Sequence, residues 1–205
     1  MPHWCSNSIA FYQEDKENDR LRQLADDIRR YVNYKKKGSD RWIGALLEAK
    51  GVSTENMRCR AFVTDVTVFS DHVQLDMESA WRPLPTVHEK IAELYNLKQV
   101  YVAEEISDDL YVNTDLAGTY FGDRYVLDNC EVDEIKKEFG DISEYESALK
   151  HIELSDRYFS SLDKLISVCE DFHVELKTFE DVKEFLGKFG IKVCEYERDD
   201  SGYKE

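Results

Sequence analysis

The chain has 205 residues, of which 42% are hydrophobic and 12% aromatic, with only three prolines and nine glycines. This composition excludes a disordered or fibrous protein and supplies enough apolar residues for one large or two small cores. The formal net charge of −16 repels nucleic-acid phosphates, and no apolar run approaches the roughly 20 residues of a membrane-spanning helix.

The charge is unevenly placed. Residues 1–60 carry 12 Lys and Arg against 9 Asp and Glu, whereas residues 61–205 carry 15 against 34, a net −19. Such a field suits a basic protein partner, and it also serves solubility. The first thirteen residues hold no Lys or Arg and are too polar for a secretion signal, so a cytoplasmic location is expected. Five widely spaced cysteines (Cys5, Cys59, Cys130, Cys169 and Cys194) include no CxxC pair. They read as reduced, buried thiols rather than as a disulfide framework or zinc site.

Trp4–Tyr12 is rich in strand formers and reads as an opening strand. A helix follows from about Asn18 to Tyr34, with Leu21, Leu24, Ala25, Ile28 and Val32 on one stripe. Arg20, Arg22, Arg29 and Arg30 occupy its other faces, and Lys35, Lys36 and Lys37 complement the dipole at its C-terminal end. Gly38 stops that helix, and a short one capped by Ser39 or Asp40 runs to Gly51. Arg60–Phe69 and Val73–Trp81 alternate as a hairpin about Ser70, Asp71 and His72. Trp4, Trp42 and Trp81 sit amid hydrophobic neighbours and are expected to be largely buried. After Pro83 and Pro85, Thr86 and Glu89 form a capping box for a helix that turns Val87, Ile91, Leu94 and Tyr95 inward. Lys98–Ile106 is the next strand.

The order strand, helix, strand, strand, helix, strand over residues 1–106 predicts an α+β protein. The expected fold is a ferredoxin-like βαββαβ antiparallel sheet with its helices on one face. Two further runs, Leu110–Asp115 and Thr119–Asp128, are expected to extend this sheet as a hairpin, closing a first domain at residue 128. Residues 129–205 read as a mainly helical region, with helices over 131–154, 161–172 and 178–189. Thr178 and Asp181 cap the last helix, and Ile191–Glu197 forms a final strand.

The opening string Met1, Pro2, His3, Trp4, Cys5 and Asn7 resembles the start of YubB-like and phage Api-type proteins, a plasmid- and phage-borne family with a ferredoxin-like domain. Glu78–Pro83 is similar to that family's Trp- and Pro-bearing segment before a helix, and Tyr101–Glu105 followed by Gly118 is similar to its strand ending in an acidic pair. Leu84 stands where the family commonly has proline, and residues after Asn129 have no counterpart. Over about residues 1–128 the resemblance implies the fold and a mobile-element context. It hands over no catalytic residue.

Glu104, Glu105, Trp81 and Tyr101 are the candidate binding residues. As strand neighbours, Glu104 and Glu105 point to opposite faces, so one of them is directed to the core side. A partly buried Glu serves as acid or base, whereas the bland alternative is an ion pair with Arg82 or Lys98. No HxxxH or HxH pair occurs, so no metal set is expected, although His3 with Cys5 makes half of one. Gly118–Gly122 lacks the lysine and helix of a phosphate loop and reads as a turn. No catalytic residue and no cofactor is assigned.

Three functions stay open. The first is a non-enzymatic protein-binding module, of phage or plasmid origin, acting on a basic partner through an acidic surface. The second is a nucleic-acid binder using the basic helix 20–37 and Arg41, against which the overall charge argues. The third is a small-molecule enzyme with a pocket near Glu104 and Glu105.

Overall fold

The computed structural model describes residues 3–13, 19–32, 42–128 and 131–198. They form two compact units, one running to Phe121 and taking in Glu197, the other Gly122–Tyr196.

The first unit contains β1 (Trp4–Tyr12), α1 (Asp19–Tyr31), α2 (Gly44–Ala49), β2 (Ala61–Val68), β3 (His72–Ala80), α3 (Pro85–Tyr95), β4 (Lys98–Glu105) and β5 (Leu110–Asn113). Its sheet has the order β2-β3-β1-β4-β5, and each neighbouring pair is antiparallel. It follows that β1 and β2 run the same way with β3 between them. Alternation puts Cys5, Asn7, Ile9 and Phe11 of β1, and Val73, Leu75, Met77 and Ser79 of β3, on one buried face.

Onto that face α1 lays Leu21, Leu24, Ala25 and Ile28, and α3 lays Val87, Ile91 and Tyr95. Because α1 touches α3 as well as β2 and β3, both helices share one side of the sheet. Asp27 of α1 ties them together: it accepts the Tyr95 hydroxyl at 2.9 Å and pairs with the Lys50 ammonium. Burial, reinforced by the Asp27 carboxylate, holds that hydroxyl well above the usual tyrosine range. Trp42 donates its indole N–H to the Cys59 carbonyl at 2.9 Å. Its ring lies so close to Gly44 that a Cβ there would come within 2.1 Å.

The second unit contains β6 (Tyr125–Asp128), α4 (Val132–Phe139), α5 (Glu146–Leu154), β7 (Tyr158–Phe159), α6 (Leu162–Ser167), α7 (Phe179–Gly187) and β8 (Lys192–Glu195). An antiparallel sheet of order β7-β6-β8 packs with these helices around Leu149, Leu165, Val182 and Leu186. The Thr178–Asp181 capping box is formed, with each side chain bonding the other's backbone N–H.

Several expectations need correction. The run 119–128 does not return along β5; its strand part, β6, belongs to the second sheet. The reason lies in Asp115, whose carboxylate accepts the backbone N–H groups of Gly118, Tyr120 and Phe121 at 3.0, 2.6 and 2.9 Å. That fixes 115–121 as a loop and uses donors that a ladder would need. Glu197 instead pairs with β5, donating its N–H to Tyr111 at 2.8 Å and accepting from Asn113 at 2.7 Å.

Trp4 and Trp81 are 40% and 44% exposed, not buried, while Trp42 is half-buried. Trp4 falls on the face of β1 turned away from the helices, and Trp81 stands just past the end of β3. The Thr86–Glu89 cap is not used. Leu84 is the N-cap and Pro85 starts α3, two residues earlier than that box would, with its fixed φ suited to the first helical position. The helix expected over 131–154 divides at Gly140, whose φ of +81° only glycine adopts freely. Cys5, Cys59 and Cys169 are buried, and Cys194 is half-buried. Cys130, Lys35–Lys37 and Arg41 lie outside the described residues. Among those described, no helix is long and apolar enough to cross a membrane.

Candidate functional site

Because β1 lies between β3 and β4 and runs antiparallel to both, its first residues meet the last residues of its neighbours. His3 and Trp4 are thereby brought beside Ala80 and Trp81 on one flank and Glu104 and Glu105 on the other. Residues far apart in sequence converge at one end of the sheet.

Trp81 is the conformational outlier of this end. Its φ is +65°, a left-handed backbone that is rare for a bulky side chain. The surrounding bonds impose it. The Trp81 N–H donates to the His3 carbonyl at 2.8 Å, Arg58 donates to the Ala80 carbonyl at 2.9 Å, and the Ser79 hydroxyl donates to the Arg82 carbonyl at 2.7 Å. Ser79 is in turn held by the Asn7 amide at 2.8 Å. Left-handed backbone at a non-glycine costs on the order of 1–2 kcal/mol, and such strain collects at functional positions.

The strained turn presents the Trp81 ring to solvent beside Arg60. The Arg60 guanidinium carbon lies 5.7 Å from the Trp81 ring and 5.9 Å from the Trp4 ring, so it contacts both tryptophans. Phe62 abuts Trp4 with ring centroids 5.5 Å apart.

Register then places carboxylates next to this patch. Glu78, Ser6 and Glu104 stand side by side across β3, β1 and β4, on the face away from the helices. In the next row Asp76 stands opposite Asp65 on β2 and accepts the Ser8 hydroxyl at 2.6 Å. The open face is therefore anionic around an aromatic and cationic corner.

Glu105 points the other way and is only 4% exposed. Its two oxygens accept the Ser107 and Asp108 backbone N–H groups at 3.2 and 2.6 Å, capping a single turn of 3₁₀ helix. The His3 Nδ1 lies 3.8 Å from Glu105 Oε1, and the Asp108 carboxylate completes a group whose donor atoms all lie within 4.8 Å of one another. A cavity of about 350 Å³ opens beside it, lined by His3, Trp4, Ser6, Glu104 and Ile106 among others. Beneath it, burial pushes the Cys5 thiol up to about 12, with the Glu105 charge adding to the effect and hydrogen bonds from Ser79 and Asn7 opposing it. Burial therefore favours the protonated thiol over the thiolate at Cys5.

The four candidate binding residues are thus divided. Trp81, Glu104 and Glu105 meet at this end of the sheet, Glu104 on the open face and Glu105 on the core side. Tyr101 is fully buried, with its ring edge-on to His88 at 4.9 Å between centroids, and offers nothing to a partner. Sequence reasoning missed Arg60 and Asp108, and it treated Trp4 as core. Only the pairing of β1 with β3 and β4 would have found them, because no local motif links residues 3–4, 60, 81 and 104–108.

Fold and site together define an α+β protein with an aromatic–cationic corner on an anionic sheet face. No protein-family model matches the chain, and no curated protein matches it.

Proposed function

We propose that this protein is a non-enzymatic, cytoplasmic protein-binding module of ferredoxin-like type. In this reading it is related to the YubB-like proteins of phages and plasmids, and it grips a basic segment of a partner protein at the Trp4–Arg60–Trp81 corner. The observation that carries the proposal is Trp81: a large ring held at 44% exposure by a strained backbone has little to offer the core. Trp and Arg are the residues that dominate binding energy at protein interfaces. The sheet order and the helices on one face agree with the ferredoxin-like assignment.

The partner's chemistry follows from the carboxylates around the corner, Glu78 and Glu104 above all, with the net charge of −16 favouring encounter with a basic chain. The same row works against a nucleic-acid strand stacking on the aromatics. On α1, Arg29 is engaged with Asp26 and Arg20 with the Asn96 carbonyl.

The test is titration of lysine- and arginine-rich peptides, followed by tryptophan fluorescence, with acidic peptides as controls. Trp81→Gly removes the ring while relieving the backbone, so the variant folds. It is expected to weaken binding by about 2 kcal/mol, the scale of an interface hot spot. Raised salt weakens the wild-type complex as well. Equal binding of acidic and basic peptides, or an unaffected Trp81→Gly, refutes the proposal.

A further inference from the structure

We propose that His3, Glu105 and Asp108 form a binding site for a divalent transition-metal ion, with zinc as the reference case. The donor set is one imidazole nitrogen and two carboxylates, which suits zinc better than calcium or magnesium. All three donor atoms lie within 4.8 Å of one another. Zinc bonds of about 2.0–2.2 Å to nitrogen and oxygen bring ligand atoms to within roughly 4 Å of each other. Small rotations of His3 and Asp108, both exposed, close that difference, while Glu105 stays fixed.

Glu105 supplies the second and independent observation. It is 96% removed from solvent, yet among the described residues it pairs with no lysine or arginine. The ionisable group facing it is the His3 imidazole at 3.8 Å, and a buried carboxylate gains from a full cation there. The Ser107 and Asp108 N–H groups occupy two of its roughly four acceptor directions and leave the others for an ion. Those two bonds also orient the carboxylate, as outer hydrogen bonds do in metal sites.

His3 is held from behind, since its carbonyl accepts the Trp81 N–H at 2.8 Å. An ion here has three protein ligands and faces the cavity of about 350 Å³, leaving a position open to water or to a partner's donor. The inference stands apart from the protein-binding reading, because it rests on Glu105 rather than on the tryptophans.

The test is calorimetric titration of the full chain with zinc chloride, repeated with Co²⁺, whose visible absorption reports its ligands. One equivalent is expected to bind. His3→Gln and Asp108→Asn, at exposed positions, should each weaken binding by about tenfold or more. His151→Gln is the control, because His151 also faces a carboxylate, Asp171, at 2.9 Å. It should bind zinc as the wild type does. Circular dichroism establishes that each variant is folded. The proposal is overturned if the wild type takes up no zinc, if His3→Gln retains wild-type affinity, or if calcium binds as tightly as zinc.

Discussion

His88 makes stability depend on pH in a way that can be isolated. It lies on α3, fully buried, and neither ring nitrogen has a hydrogen-bond partner among the described residues. Burial lowers its pKa from 6.5 to about 3. The folded state therefore holds the ring neutral, while the unfolded chain takes up a proton below about 6.5. Stability is fully present above that value and is lost as pH falls from 6.5 towards 3, at about 1.4 kcal/mol per unit. Between pH 7.5 and 5.5 the loss from this residue alone is about 1.4 kcal/mol. Other groups titrate too, so the measurement is a difference. Urea unfolding of the wild type and of His88→Leu, at both pH values, isolates the histidine. Leucine carries no proton and leaves no unpaired nitrogen, so the wild type should lose about 1.4 kcal/mol relative to the variant on acidification. A gap that stays constant within about 0.5 kcal/mol, or an NMR titration placing His88 near its ordinary pKa, refutes the reasoning.

Three further outcomes are expected. Gly44→Ala drives a methyl group into the Trp42 ring, so chemical denaturation should show a loss of about 1–3 kcal/mol, as overpacking does. Asp115→Ala orphans the N–H groups of Gly118, Tyr120 and Phe121, costing about 1–3 kcal/mol, and hydrogen exchange should show faster exchange concentrated in residues 114–121. Thr178→Ala removes one half of the capping box of α7 and should lower stability by about 1 kcal/mol in the same unfolding assay, with a Thr178→Ser control close to wild type.

The two exposed tryptophans and the buried Glu105 have a common origin. At this end of the sheet alternation still sets Trp4 on the open face and Glu105 on the core side, while Trp81, just past the end of β3, leaves it. There Trp81 is pulled into a left-handed turn by the His3 carbonyl, and Glu105, facing inward in phase with Tyr101 and Ala103, caps the 3₁₀ turn that follows it.

Much of the first unit was legible because its periods are strong. The alternation of Val73, Leu75 and Met77 and the stripe of Leu21, Leu24, Ala25 and Ile28 each serve a single buried face, so local pattern and tertiary fold agree. The Thr178–Asp181 cap was legible for the same reason, since both partners lie within one turn of chain. Composition likewise argued against spans of the bilayer. Tertiary structure alone decided the destination of β6, because the choice depends on Asp115 capturing three backbone donors and on Glu197 reaching β5 from the far end of the chain. It alone decided that Trp4 is exposed, since a strand's pattern does not say which face meets the helices when both carry large residues. The meeting of His3, Glu105 and Asp108 was equally out of reach. Their proximity is set by the antiparallel register of β1 with β4, a contact spanning about a hundred residues of sequence that leaves no trace in local spacing.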